Sequence, residues 1–120
     1  MCKLHVLMSR EMMPMKVAVS SQGPSPADPF DRRFGRAPYL LVYDTNADSW
    51  STFDNTENRE AQSGAGIGAA TKLAASGAIV LVTGHVGPKA EQALQAAGIS
   101  VFLTDAKTAD AALKNYLDQQ

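Results

Sequence analysis

The stretch Gly77-Ala78-Ile79-Val80-Leu81-Val82-Thr83-Gly84-His85-Val86-Gly87-Pro88-Lys89-Ala90 decides the fold. Residues 78–82 form an unbroken apolar run of strand length, the pattern of a strand covered on both faces. Pro88, after Gly87, suits the first turn of a helix, where a missing N–H costs nothing. Ala90, Ala93, Leu94 and Ala97 then fall on one helical face, and Gly98 ends it. Residues 99–103 read as the last strand. A strand, a helix and a strand in this order predict a right-handed parallel crossover.

Outward from this unit, residues 65–76 predict a helix with Ile67, Ala70 and Ala74 on its apolar face and Gly77 as its stop. Val17, Ala18 and Val19 form a short apolar strand. Residues 39–43 are a second strand, 44–49 a turn cluster, and 50–53 a third strand that closes a hairpin. Thr108 can cap a final helix with the stripe Ala109, Ala112, Leu113, Tyr116 and Leu117. The order β-β-β-α-β-α-β-α predicts an α/β domain with a mixed five-stranded sheet and three helices. Its first, fourth and fifth strands are expected parallel and central, with the second and third antiparallel at one side. Residues 20–37 lack periodicity and carry Gly23, Pro24, Pro26, Pro29 and Gly35. A loop of this length is functional or disordered, and it is expected to be mobile until a ligand orders it.

A length of 120 residues fits one domain. The formal net charge of -1 and the lack of aromatic–basic interleaving argue against nucleic acid. No apolar run approaches the roughly 20 residues of a membrane span. Cys2 is the only cysteine, so an intrachain disulfide and a four-thiolate site are excluded, and export to an oxidising compartment gains no support. A cytoplasmic setting is expected. Only His5 and His85 offer imidazole. Every methionine precedes residue 16, alongside Cys2 and His5. Residues 1–14 read as a flexible leader ahead of a single domain over 15–120, with a soft-ligand arm for Cu(I) as the alternative.

In open α/β sheets, ligands sit beyond the carboxyl ends of the parallel strands. Residues 20–23, 63–68 and 83–89 converge there. Two of these are glycine-rich turns before helix N-termini, which present free N–H groups and partial positive charge. The natural ligand is an anion, with Arg32, Arg33, Arg36 and Lys89 able to add charge. The glycines fit neither the dinucleotide fingerprint nor the phosphate loop. Nor is there a recognisable Ser-His-Asp or Cys-His arrangement. Asp44, Asp48 and Asp54 read as solvated carboxylates around the hairpin.

Phe34-Gly35-Arg36-Ala37-Pro38-Tyr39, then Gly64-Ala65-Gly66, then Gly84-His85-Val86-Gly87-Pro88-Lys89-Ala90, then Ala96-Ala97-Gly98-Ile99, resemble the dinitrogenase iron–molybdenum cofactor biosynthesis family. The likeness runs in order from residue 15 to about 118. It implies a ribonuclease H-like mixed sheet and non-enzymatic binding of a metal–sulfur cluster. That cluster is iron–molybdenum cofactor or a precursor in most of the family, and a molybdenum–copper sulfide in one branch. The branch with the molybdenum–copper sulfide is the nearer match, with an iron–molybdenum or iron–sulfur cluster as alternative. Many members carry histidine where this chain has Arg33, and a guanidinium does not ligate metal.

The expectation is therefore a monomer that holds an anionic cluster non-covalently, with room for a protein partner in cluster transfer. The residues expected to hold it are Ser20, Ser21, Arg33, Phe34, Gly35, Arg36, Gly64, Gly66, Gly68, Gly84, His85, Gly87 and Lys89. No direct metal ligation is expected, His85 and Cys2 being the two exceptions open to it. A small-anion-responsive regulatory or interaction domain stays open beside this reading, and an enzyme stands third for want of a placed acid, base or nucleophile.

Overall fold

The structure, a computed structural model, describes residues 15–59 and 64–119. The expectations for residues 1–14, Cys2 and His5 included, and for Ser63 lie outside the described residues. The elements are β1 (Lys16–Ser21), β2 (Tyr39–Asp44), β3 (Ser49–Asp54), α1 (Thr56–Arg59), α2 (Ala65–Ser76), β4 (Val80–Thr83), α3 (Pro88–Ala96), β5 (Ser100–Leu103) and α4 (Ala109–Leu117). The three predicted helices are α2, α3 and α4, and α1 is a single additional turn after the hairpin.

The sheet runs β3-β2-β1-β4-β5. β1, β4 and β5 are parallel, and β2 and β3 complete an antiparallel side. The mixed α/β architecture is the one the sequence predicts, except that β5 is an edge strand rather than a central one. Its sequence alone does not show this, because the edge leaves Val101 and Leu103 uncovered on a strand as apolar as its neighbours.

β1 divides the core between two layers. Ala18 faces Leu73 of α2 and Leu94 of α3, while Val17 and Val19 face Ala112 and Leu113 of α4. Alternate residues of a strand point to opposite faces, so a strand with helices on both sides is apolar throughout. Thr108 caps α4 by accepting the Ala111 N–H at 3.1 Å. Gly77 ends α2 at φ 87°, a left-handed conformation that favours glycine.

The apolar face of α2 is not the predicted one. Ile67 is 43% exposed and Ala74 is exposed, while Ala65, Ala69, Ala70 and Leu73 are buried. The helix is rotated because its small residues, not its one isoleucine, face α3. A Cβ on Gly66 would come within 2.5 Å of the Ala90 Cβ, so close helix approach selects that face.

The predicted structureless loop is a packed segment. Phe30, Asp31, Phe34 and Ala37 are buried along it. Isolated bridges join Ser21 to Phe30, Pro29 to Thr108 and Arg33 to His85. Two aromatic side chains spaced four apart anchor it, one in each layer of the core.

Candidate functional site

A cleft of about 540 Å³ opens where the loop meets the N-termini of α2 and α3. Its wall is built from Arg33, Phe34, Gly35 and Arg36 of the loop, Gly64 to Ile67 of α2, and His85 with Gly87 to Ala90 of α3. Contact within this wall is close. A Cβ on Gly35 would lie 2.7 Å from the Gly66 nitrogen, so only glycine lets the loop backbone lie on the first turn of α2.

Both helices point their N-termini at the cleft with glycine at the cap. Gly64 adopts φ 78°, and Gly87 is extended at φ -72°. Neither has a side chain to satisfy the first-turn N–H groups, which an anion can take instead. Among the described residues, a Cβ at either position would meet nothing within 4 Å beyond its chain neighbours. None of the described lining residues is a carboxylate, while Arg33, Arg36 and Lys89 are cationic. Among the described residues no cluster of three histidine, cysteine or acidic side chains exists to hold a metal ion. The wall therefore offers backbone donors and cations to an anion.

The structure brings Arg33, Phe34, Gly35, Arg36, Gly64, Gly66, His85, Gly87 and Lys89 of the expected residues to the cleft. Ser20, Ser21, Gly68 and Gly84 are not in its wall. Ser20 is wholly buried, donates to the Asp31 carbonyl at 2.6 Å and shares a 2.7 Å hydrogen bond with Thr83 Oγ1. Ser21 is buried and donates to the Gly23 carbonyl at 2.8 Å. The Gly68 N–H closes the first turn of α2 on the Gly64 carbonyl at 2.9 Å. Gly84 packs against Arg32, whose Cα would lie 2.9 Å from a Cβ there. These four hold the backbone behind the cleft.

Sequence reasoning passed over Asp31 and Asn55 and placed Thr83 only at the start of a converging segment, and all three are buried. Asp31 Oδ1 accepts the Arg33 N–H at 2.9 Å, and the carboxylate also takes Arg33 Nε and Nη2, each at 3.3 Å. This pairing, first the hydrogen bond and then the charge, raises the Arg33 guanidinium above its ordinary pKa. Asn55 donates to the Ala37 carbonyl at 2.8 Å and fixes the loop's far end. The signal for Asp31 lay in its spacing, since an aspartate two residues before an N–H makes a local turn.

Fold and cleft together define a class: a mixed-sheet α/β domain with a cationic, glycine-walled cleft at the carboxyl ends of its parallel strands. The profile described as "Dinitrogenase iron-molybdenum cofactor" matches residues 13–119. The chain belongs to that family. No curated protein sequence matches it. Among solved structures it is similar to the apo form of the orange protein from Desulfovibrio gigas, with 45% identity, 88% of this chain and 89% of that one covered, and a TM-score of 0.84. A Thermotoga protein of the DUF35 family is 28% identical over 87% of this chain and 88% of that one, with a TM-score of 0.78. A Methanocaldococcus jannaschii protein, 14% identical over 90% of this chain and 92% of that one, shares the fold with a TM-score of 0.66.

Proposed function

We propose that the cleft carries an anionic metal–sulfur cluster as cargo, held by hydrogen bonds and charge without a bond from the protein to metal. The cargo in this reading is a molybdenum–copper sulfide cluster, with an iron–molybdenum or iron–sulfur cluster as the alternative. The protein binds and hands on the cluster without transforming a substrate, as a cytoplasmic monomer that delivers to a protein acceptor. Family membership supports the metal.

The observation that carries the reading is Gly87. Its backbone at φ -72° suits any residue, and among the described residues no atom beyond its chain neighbours lies within 4 Å of where a Cβ would stand. The chain's own packing does not call for glycine there, whereas an occupant of the cleft would. Arg36 and Lys89 add charge-assisted hydrogen bonds, the stronger kind, in a wall with no described carboxylate.

The test adds tetrathiomolybdate and Cu(I) to purified protein and follows visible absorption and retained metal after gel filtration. Retained molybdenum and copper in the wild type, lost in a folded Gly87→Val variant, is the expected result. A wild type that stays colourless and metal-free, yet is stabilised by a phosphate compound, would replace this reading with a small-anion regulatory domain. Molybdenum retained equally by Gly87→Val would place the cargo elsewhere.

A further inference from the structure

Asp31 is a carboxylate only 2% exposed, two residues before Arg33 of the cleft wall. Burying a carboxylate is costly unless a charge and hydrogen bonds answer it. Its turn-forming bond to the Arg33 N–H, 2.9 Å, needs only a neutral acceptor such as asparagine. Its charge is answered by the Arg33 side chain, through Nε and Nη2. The Nη1 edge of the guanidinium is not the one that Asp31 takes, and the Arg33 side chain is 63% exposed. Arg33 and His85 also line a second depression of about 510 Å³, which contains Asp31, Gln22 and Phe30. The remaining cation there, Arg32, is paired with Asp105 at 3.4 Å. Any anion in the main cleft therefore shares Arg33 with Asp31.

We infer that Asp31 is an internal counter-anion which, through Arg33, sets how much negative charge the cleft accepts. The inference rests on the anion-binding reading above and adds a specificity determinant to it. Asp31 touches Arg33 and not the cargo, so it acts as a positioning and charge-tuning residue. By holding Nε and Nη2 and neutralising part of the guanidinium's charge, it weakens the pull of Arg33 on the bound anion, a pull that grows with the anion's charge whatever its shape. The cleft is thereby tuned against the more highly charged of two anions of equal shape.

The experiment compares tetrathiomolybdate with tetrathioperrhenate, tetrahedral thioanions of like shape carrying two and one negative charges. Both are titrated into the wild type, Asp31→Asn, Arg33→Ala and the double variant. Asp31→Asn keeps an acceptor for the Arg33 N–H while it removes the charge. It is expected to bind the dianion about threefold more tightly, in line with partly exposed ion pairs, and the monoanion with a smaller gain. The gain should vanish in the Arg33→Ala background. An unchanged or weaker dianion affinity in folded Asp31→Asn overturns the inference, and so does an equal gain without Arg33. A second readout needs no variant: the Arg33 Nε–H resonance of the wild type should shift when tetrathiomolybdate binds, and bound anion with no shift overturns the inference. A wild type that binds neither thioanion removes the cleft reading itself, an outcome separate from these.

Discussion

Ser20 Oγ and Thr83 Oγ1 lie 2.7 Å apart where β1 and β4 end, and neither residue touches solvent. Ser20 donates to the Asp31 carbonyl, so Thr83 supplies the proton between the two hydroxyls. Ser20→Ala removes the donor to the Asp31 carbonyl and leaves the Thr83 hydroxyl only its 3.5 Å contact with the Arg32 carbonyl, which costs about 1–3 kcal/mol. Thr83→Ser keeps the bond and should cost less. Urea denaturation of the two variants checks this, and equal stabilities would show that the pair does not fix the loop.

Gly66 and Gly87 should respond in opposite ways to alanine. Gly66→Ala forces a methyl to within 2.5 Å of the Ala90 Cβ, and such overpacking costs about 1–3 kcal/mol, partly offset by alanine's better helix propensity. Gly87→Ala meets no neighbour, so stability should hold or rise slightly, while thiometallate affinity falls. Thermal melts beside titrations separate the two effects.

Arg36→Ala and Lys89→Ala should each weaken thiometallate binding by about tenfold, the equivalent of one charge-assisted hydrogen bond. Raising the salt should weaken the wild type as well, since exposed charges are screened. Cys2→Ser should change little in a site without a metal–thiolate bond. Affinities at low and high ionic strength decide it: loss of binding in Cys2→Ser alone would mean thiolate ligation.

The Asp54 carboxylate accepts from the Thr56 hydroxyl at 2.7 Å and from the Thr56 N–H at 2.8 Å. The hydroxyl first, then the N–H, hold its pKa below the ordinary carboxylate value, with the charge of Lys72 helping. A group depressed on folding stabilises the fold above its unfolded pKa, and that stability is lost as the pH falls through the folded value. Asp54→Asn should therefore flatten the fall of stability on acidification from neutral pH. Denaturation midpoints across that range check it, and identical slopes would remove Asp54 from the account.

The strands were legible where burial is two-sided. Residues 17–19 and 80–82 are apolar because helices cover both faces of β1 and β4, whereas Ile79, just ahead of β4, is 47% exposed. The caps at Gly77 and Thr108 were legible because each acts on its own helix end. The face of α2 was not, because an alanine- and glycine-rich helix has almost no apolar contrast, and its neighbour α3 sets its rotation. The cleft's glycines and cations were visible as types, while Ser20 and Ser21 looked like ligand contacts and lie buried behind the wall. Asp31 was missed because its role depends on burial, which an Asp-Arg-Arg sequence does not reveal.

The long loop has a consequence for the thermodynamics of cargo uptake. It is tied at close intervals: the Gln22 N–H to the Pro29 carbonyl, the Phe30 N–H to the Lys107 carbonyl, and the Ala109 N–H to the Asp28 carbonyl, with Asn55 holding Ala37. Each tether divides one long span into short ones, whose freedom was already surrendered when the chain folded. An incoming cluster meets a preorganised wall and has little backbone left to immobilise. More of the contact energy then appears as affinity.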